Sequence, residues 1–405
     1  MVYIITNEIP MGGIKTWNDN FINYLNDSKI LSYDDLLLVH DDIIIINNSS
    51  NEKLYQNLHL IKNNNNKIYY VIHSIDSPNN IYFIKNYKQY DKCIVCSKQL
   101  KEMIEIKYNI ETIFLPNYIK NDNIIINSIS SDVFNLVFVG RISNEKNIPM
   151  ILYAISFFNN FYKKDIQLKI YGNTMDITYM SYIQYLQTKL KLNNVYLMNH
   201  CDDKNEIYNN KDLLILPSVS EGMPYCVIEA SNYGVPSLVT ELLTTRELIK
   251  DDINGYLIKL ECLQIDQELC CINYMDKLTK LGYNLINDKN MTDNLRHTCV
   301  YSDKKMIWKN TLICNVDIVG KTNNRCVACK SLINKTNIFN KNAMNIANKI
   351  NEIMKKEKLI IKPLYSLIDY TKQLNLIDNK LKQVIDIRDE IFVNNNDIGD
   401  LIFFD

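Results

Sequence analysis

The stretch 213–255 gathers the side chains best suited to hold a polar ligand: LLILPSVSEGMPYCVIEASNYGVPSLVT and, further on, ELIKDDINGYLI. A continuously apolar run ends at Pro217, and a short polar segment brings Glu221, Gly222, Met223 and Pro224. A helical pattern then starts at Tyr225 and passes through Glu229. This order predicts strand, loop and helix, with Glu221 at the loop's end and Glu229 about two turns into the helix. Both carboxylates then face a ligand lying above the strand end. The first helical turn leaves backbone amides without partners, and Gly222 lets the backbone come close, an arrangement suited to a phosphate. Either Glu alone reads equally as an ordinary acidic residue near a helix N-terminus.

A second group lies in LVFVGRISNEKNIP, where Gly140, Arg141 and Lys146 follow directly on an apolar run. Two cations in one loop at a strand end suit an anion, although each alone also reads as solvated surface. Near the N-terminus, Gly12-Gly13 follows the first apolar run; it offers either backbone amides free of side chains or a simple tight turn. His73, one of only five histidines, follows the run YYVI directly and reads as a site residue or as a satisfied structural histidine.

The elements that must position these groups are legible from β-branched runs alternating with helical periodicity. Strands are predicted at 2–6, 43–46, 68–72, 93–96 and 112–115, continuously apolar as buried parallel strands are. Helices fit 15–25 and 98–106, the latter capped by Ser97. The alternation restarts with strands at 136–139, 167–171, 195–197, 213–216 and 237–240 and helices at 149–161, 177–190, 205–210 and 225–233. We read an α/β chain of two Rossmann-like, doubly wound parallel-sheet domains facing across a cleft. The expected divisions are an acceptor domain at 1–120, a linker at 121–134, a donor domain at 135–315 and a mainly helical extension at 316–405 of unassigned role. Heptad-like spacing at Leu367, Tyr370, Leu374, Ile377, Leu381 and Val384 predicts a helix over 363–392 that packs back on the body or mediates self-association.

The string EGMPYCVIEA resembles the E-x7-E signature of the retaining glycosyltransferases of family 4, the glycosyl transferases group 1 with the GT-B fold. The resemblance implies that Glu221 contacts the donor sugar and Glu229 the ribose of a sugar nucleotide; carboxylates suit vicinal diols because each accepts two hydrogen bonds at once. It further implies that Arg141 and Lys146, after Gly140, neutralise the diphosphate, and that amides at 222–225 assist. Gly12 and Gly13 correspond to the family's glycine loop, His73 to a histidine that reaches the donor sugar, and Leu115-Pro116-Asn117 to an architectural turn. A segment at 301–312 is similar to the helix that ends these enzymes. The chain departs from the pattern at Asn199-His200 and at Thr244-Thr245-Arg246, ahead of Glu247, which bears on the donor's identity.

With 405 residues and a formal charge of -1, the chain carries no global field for nucleic acid or an anionic membrane. About one residue in seven is Asn, and only ten are Gly, so the glycines kept are informative. The eleven Cys lie mostly in apolar segments and are expected as reduced thiols, with neither a signal peptide nor a membrane span expected. That predicts a cytoplasmic protein, soluble or in peripheral contact with a membrane. No D-x-D motif stands near a strand end, so metal-independent catalysis with no cofactor is expected, the nucleotide sugar serving as co-substrate (UDP-sugar first, GDP-sugar next) and a glycan, lipid or protein-linked carbohydrate as acceptor. The pairs Cys93/Cys96 and Cys326/Cys329 allow a zinc site only if their thiols converge. Two alternatives to transfer are an epimerase acting on sugar nucleotides with the same fold, and a non-catalytic binding protein on an inactive transferase scaffold.

Overall fold

The computed structural model describes residues 1–6, 12–25, 27–47, 49–74, 80–119, 132–162, 164–174 and 176–260, three strands between 283 and 309, and 327–364 with Tyr370 and Leu374. The first domain holds β1 (Val2–Ile5), α1 (Gly13–Tyr24), β2 (Ser28–Ile30), α2 (Tyr33–Leu36), β3 (Ile43–Asn47), α3 (Glu52–Gln56) and α4 (Leu58–Asn63). It continues with β4 (Lys67–Ile72), α5 (Asn80–Asn86), β5 (Lys92–Val95), α6 (Lys98–Tyr108) and β6 (Thr112–Phe114). Its strands pair in parallel in the order β2-β1-β3-β4-β5-β6. Ile44, Ile45 and Ile46 are fully buried, as expected of a central parallel strand covered on both faces. Ser97 starts α6 by accepting from the Leu100 amide at 3.1 Å, and Asn109 ends it with a left-handed φ of 50°.

The second domain repeats the plan with β7 (Phe134–Val139), α7 (Ile148–Phe161), β8 (Ile166–Tyr171), α8 (Ile177–Lys189), β9 (Val195–Met198), α9 (Lys204–Tyr208), β10 (Leu213–Leu216), α10 (Tyr225–Asn232), β11 (Ser237–Thr240) and β12 (Tyr256–Ile258). Its parallel order is β12-β11-β10-β7-β8-β9. In each sheet the order reverses once, between β1 and β3 and between β7 and β10. Ligands of doubly wound sheets bind outside the carboxyl ends of the strands at such a point. The glycine pair follows β1, Gly140 follows β7, and Glu221 lies beyond β10.

Three features depart from expectation. The edge strands β2 and β12, three residues each, have no signal long enough to read as a period. The segment 301–312, expected as a helix, contains a strand, β15 (Lys305–Lys309), antiparallel to β14 (Asn294–Cys299), which pairs with β13 (Tyr283–Ile286). Its run Met306-Ile307-Trp308 favours extended backbone. Third, α11 (Val327–Ile353) packs on α7 and buries Ala343, Ile346, Ala347 and Ile350 in the second domain's core. A segment read as an appendix therefore helps build that domain. Of the heptad positions, Tyr370 and Leu374 are described; both are buried in the first domain's core with Trp17, Phe21 and Tyr118, and the others lie outside the described residues.

Candidate active site

The loops leaving β7 and β10 are stitched together. The Val219 amide donates to the Glu145 carbonyl at 2.9 Å, and Asn147 Nδ2 donates to the Pro217 carbonyl at 3.2 Å. This brings Lys146, at the end of the one-turn helix Asn144–Lys146, onto Glu221: Nζ lies 2.6 Å from Oε1. Both side chains are sequestered, 15% and 8% exposed. Burial alone pulls the lysine's pKa down, but the charge and hydrogen bond of Glu221 outweigh it and hold the ammonium above its ordinary value. Arg141 stands apart, 76% exposed, with its guanidinium 3.1 Å from Glu145. Thr244, one of the residues that depart from the family pattern, donates its hydroxyl to the Glu221 carbonyl at 2.7 Å and so braces the loop.

Glu229 is buried on α10, which begins at Pro224 and Tyr225. Tyr208 Oη donates to Oε2 at 2.6 Å, and Lys204 Nζ lies 2.8 Å from Oε1. Each carboxylate of the pair thus has its own lysine. The two cations cancel the two anions, as a buried carboxylate requires if it is to stay charged.

The first domain closes over this assembly. A Cβ on Gly222 would lie 1.6 Å from the His73 carbonyl oxygen, so no other residue fits between the two domains at this point. The Cys96 thiol donates to the same carbonyl at 3.2 Å. His73 Nε2 is 2.7 Å from Asn47 Oδ1, Asn47 Nδ2 donates to Asn18 Oδ1 at 2.7 Å, and the Trp17 ring meets the imidazole edge-on. Burial lowers the His73 pKa to about 4, so the ring is neutral at pH 7. Gly12 adopts φ +60° at the start of α1, and a Cβ on Gly13 would sit 3.0 Å from the Tyr225 ring. Asn117 Nδ2 donates to the Met223 carbonyl at 2.6 Å, and the Asn117 amide approaches the Met223 sulfur at 3.0 Å.

Glu247, at the end of the one-turn helix Thr245–Glu247, crosses to the first domain. Its oxygens accept from the amides of Lys98 and Gln99, each at 2.8 Å, at the N-terminus of α6. Burial pushes its carboxyl up, while the two amide hydrogen bonds pull the other way.

The structure therefore gathers Gly13, His73, Lys146, Glu221, Gly222, Met223 and Tyr225 where the two domains meet, with Gly140 close to the Lys146 side chain and Arg141 exposed. The sequence reading missed Lys204, Tyr208, Asn47 and Glu247. Lys204 and Tyr208 had one usable signal, their i,i+4 spacing on a single helix face; Glu247 and Asn47 had none, since their partners are remote in the chain. The thiols of Cys93 and Cys96 are buried, which pushes the Cys96 pKa up to about 12, and the side chains of Cys326 and Cys329 lie outside the described residues. No helix among the described residues is long and apolar enough to cross a membrane.

Residues 119–266, just over a third of the chain, match the family model described as Glycosyl transferases group 1. The fold is GT-B. Anabaena HepE in complex with UDP-glucose superposes with a TM-score of 0.57 at 13% identity, over 93% of this chain and 99% of that one. A TarM mutant of S. aureus, in complex with Fondaparinux, alpha-GlcNAc-glycerol and UDP, superposes with a TM-score of 0.52 at 15% identity, over 85% of this chain and 58% of that one. Among curated proteins, the chain is 28% identical over 128 residues to the UDP-Gal:alpha-D-GlcNAc-diphosphoundecaprenol alpha-1,3-galactosyltransferase of Escherichia coli, which is 31% of this chain and 33% of the relative. It is 25% identical over 181 residues to an uncharacterized 41.2 kDa protein in the cps region of Klebsiella pneumoniae, 44% of this chain and 47% of that one. The matches thus span a third to just under a half of those relatives.

Proposed function

We propose that the chain is a retaining glycosyltransferase of the family 4 type, which moves a sugar from a nucleotide diphosphate sugar to a carbohydrate-bearing acceptor without a metal. A UDP-sugar is the favoured donor and a GDP-sugar the next. The observation that carries the proposal is the pair of lysine-neutralised carboxylates, Glu221 with Lys146 and Glu229 with Lys204, set beyond the carboxyl end of β10 where the strand order reverses. The UDP sugar donor of the galactosyltransferase relative supports the donor assignment.

In this reading Lys146, Arg141 and the amides at 222–225 receive the diphosphate, Glu229 the ribose, and Glu221 with His73 the sugar. The acceptor enters beside Gly12 and Gly13. As the bond from the anomeric carbon to the diphosphate oxygen breaks, charge collects on the leaving group. Cations fixed there stabilise that state more than the intact donor. The acceptor oxygen bonds to the anomeric carbon on the face the phosphate leaves, and its proton passes to the departing phosphate. A raised pKa keeps Lys146 charged throughout, and contact between the domains keeps water from the cleft.

The test is a thermal-shift panel of UDP-, GDP- and ADP-sugars, followed by transfer assays. A donor at 100 times its Kd is expected to add about 2.7 kcal/mol of stability. Glu221→Ala is expected to abolish both transfer and slow donor hydrolysis, and EDTA to leave the wild-type rate unchanged. Stabilisation by none of the donors, or a wild-type rate in Glu221→Ala, overturns the proposal.

A further inference from the structure

The reading above uses the short helix α9 only through the charge of Lys204, yet two of its side chains end on Glu229. Asp203 caps the helix by accepting from the Asn205 amide at 2.8 Å and from the Glu206 amide. Lys204 and Tyr208, one turn apart, then project from the same face. The Tyr208 ring is buried and stacked on Tyr233 at 5.5 Å, and its hydroxyl reaches Glu229 Oε2 at 2.6 Å. A phenol can only donate to a carboxylate, and both burial and the charge of Glu229 hold the Tyr208 pKa well above its ordinary value, so the donor proton stays in place. Lys204 holds the other oxygen from the solvent side, with its side chain 39% exposed.

Each carboxylate oxygen accepts two hydrogen bonds. With one place on each oxygen taken by Tyr208 and Lys204, one place on each remains, which is what a vicinal diol requires. Lys204 has three donor hydrogens, of which Oε1 engages one, and its side chain is partly exposed. Resting on the reading of Glu229 as the ribose carboxylate, we propose that Lys204 is a donor-binding residue that shares the ribose hydroxyls with Glu229, and that Tyr208 is the positioning residue that fixes the rotation of that carboxylate. The nucleoside subsite is thus a three-residue unit drawn from two helices rather than a single glutamate.

The experiment measures Kd for UDP and for 2′,3′-dideoxy-UDP with wild type, Lys204→Met, Lys204→Arg and Tyr208→Phe. Lys204→Met and Tyr208→Phe are each expected to weaken UDP about tenfold, the worth of one hydrogen bond to a charged group, and to leave the dideoxy nucleotide unchanged. Lys204→Arg is expected to restore most of the loss. In transfer assays the donor KM rises while kcat holds, a split that a general loss of fold does not produce. Tyr208→Phe keeps the ring and its stacking, so it remains informative if Lys204→Met folds poorly. Equal weakening of both nucleotides, or no change in either, overturns the inference. A wild type that binds the two nucleotides equally removes the ribose role of Glu229, and a wild type that binds neither UDP nor its dideoxy form overturns UDP as the donor nucleotide and the inference with it.

Discussion

Gly222 occupies a point where the two domains meet backbone to backbone without room for a methyl group. Alanine there places Cβ on the His73 carbonyl, and the loop carrying Glu221 has to retreat by more than an ångström. A displacement of that size at a reacting centre lowers the rate about a hundredfold. Gly222→Ala is therefore expected to keep its circular dichroism and lose about two decades of kcat, whereas a full rate would mean that the cleft works in a more open form. At this scale the sequence was informative where residue type and spacing coincide. Glu221, Gly222 and Glu229 stand on one strand-loop-helix unit, so their proximity follows from local geometry. Asn47 and Glu247 are ordinary residue types whose partners are remote in the chain, which no local pattern encodes, and the i,i+4 spacing of Lys204 and Tyr208 puts them on one helix face without pointing to Glu229.

Among the elements, α6 illustrates how a helix end is completed from another domain. Its first three amides are met by Glu247 on Lys98 and Gln99 and by Ser97 on Leu100. Ser97 was legible as a cap because the residue precedes its own helix, while Glu247 was not. Glu247→Ala leaves two amides without their charged acceptor, and a loss of about 1–3 kcal/mol in unfolding free energy is expected. Scattering in solution checks the accompanying change, a larger radius of gyration as the domains part; a stability equal to wild type would show water replacing the carboxylate without loss. The central strands were predicted correctly because isoleucine-rich runs buried on both faces admit few alternatives. The short edge strands β2 and β12 and the strand β15 escaped because three to five residues carry too little periodicity to separate strand from loop or helix.

For the whole molecule, the near-zero charge means that the proposed anionic donor has to be held by placed groups rather than drawn in by a long-range field. The last described residues bear on how the halves stay together. The Leu364 amide donates to Ser231 Oγ in the second domain at 3.3 Å, and six residues on, Tyr370 is buried in the first, 5.3 Å from the Tyr118 ring and 5.8 Å from the Tyr24 ring. Tyr370→Ala is expected to destabilise the protein by about 3–5 kcal/mol, read as a lower urea midpoint; a midpoint unchanged from wild type would mean that this segment contributes nothing to the first domain. The return of the chain has a mechanical corollary. The chain crosses between the domains twice, once after Ile119 and once between Leu364 and Tyr370. Two covalent crossings keep the faces of the two domains at high effective concentration even when the Glu247 clasp is open, so reclosure is an intramolecular event rather than a search.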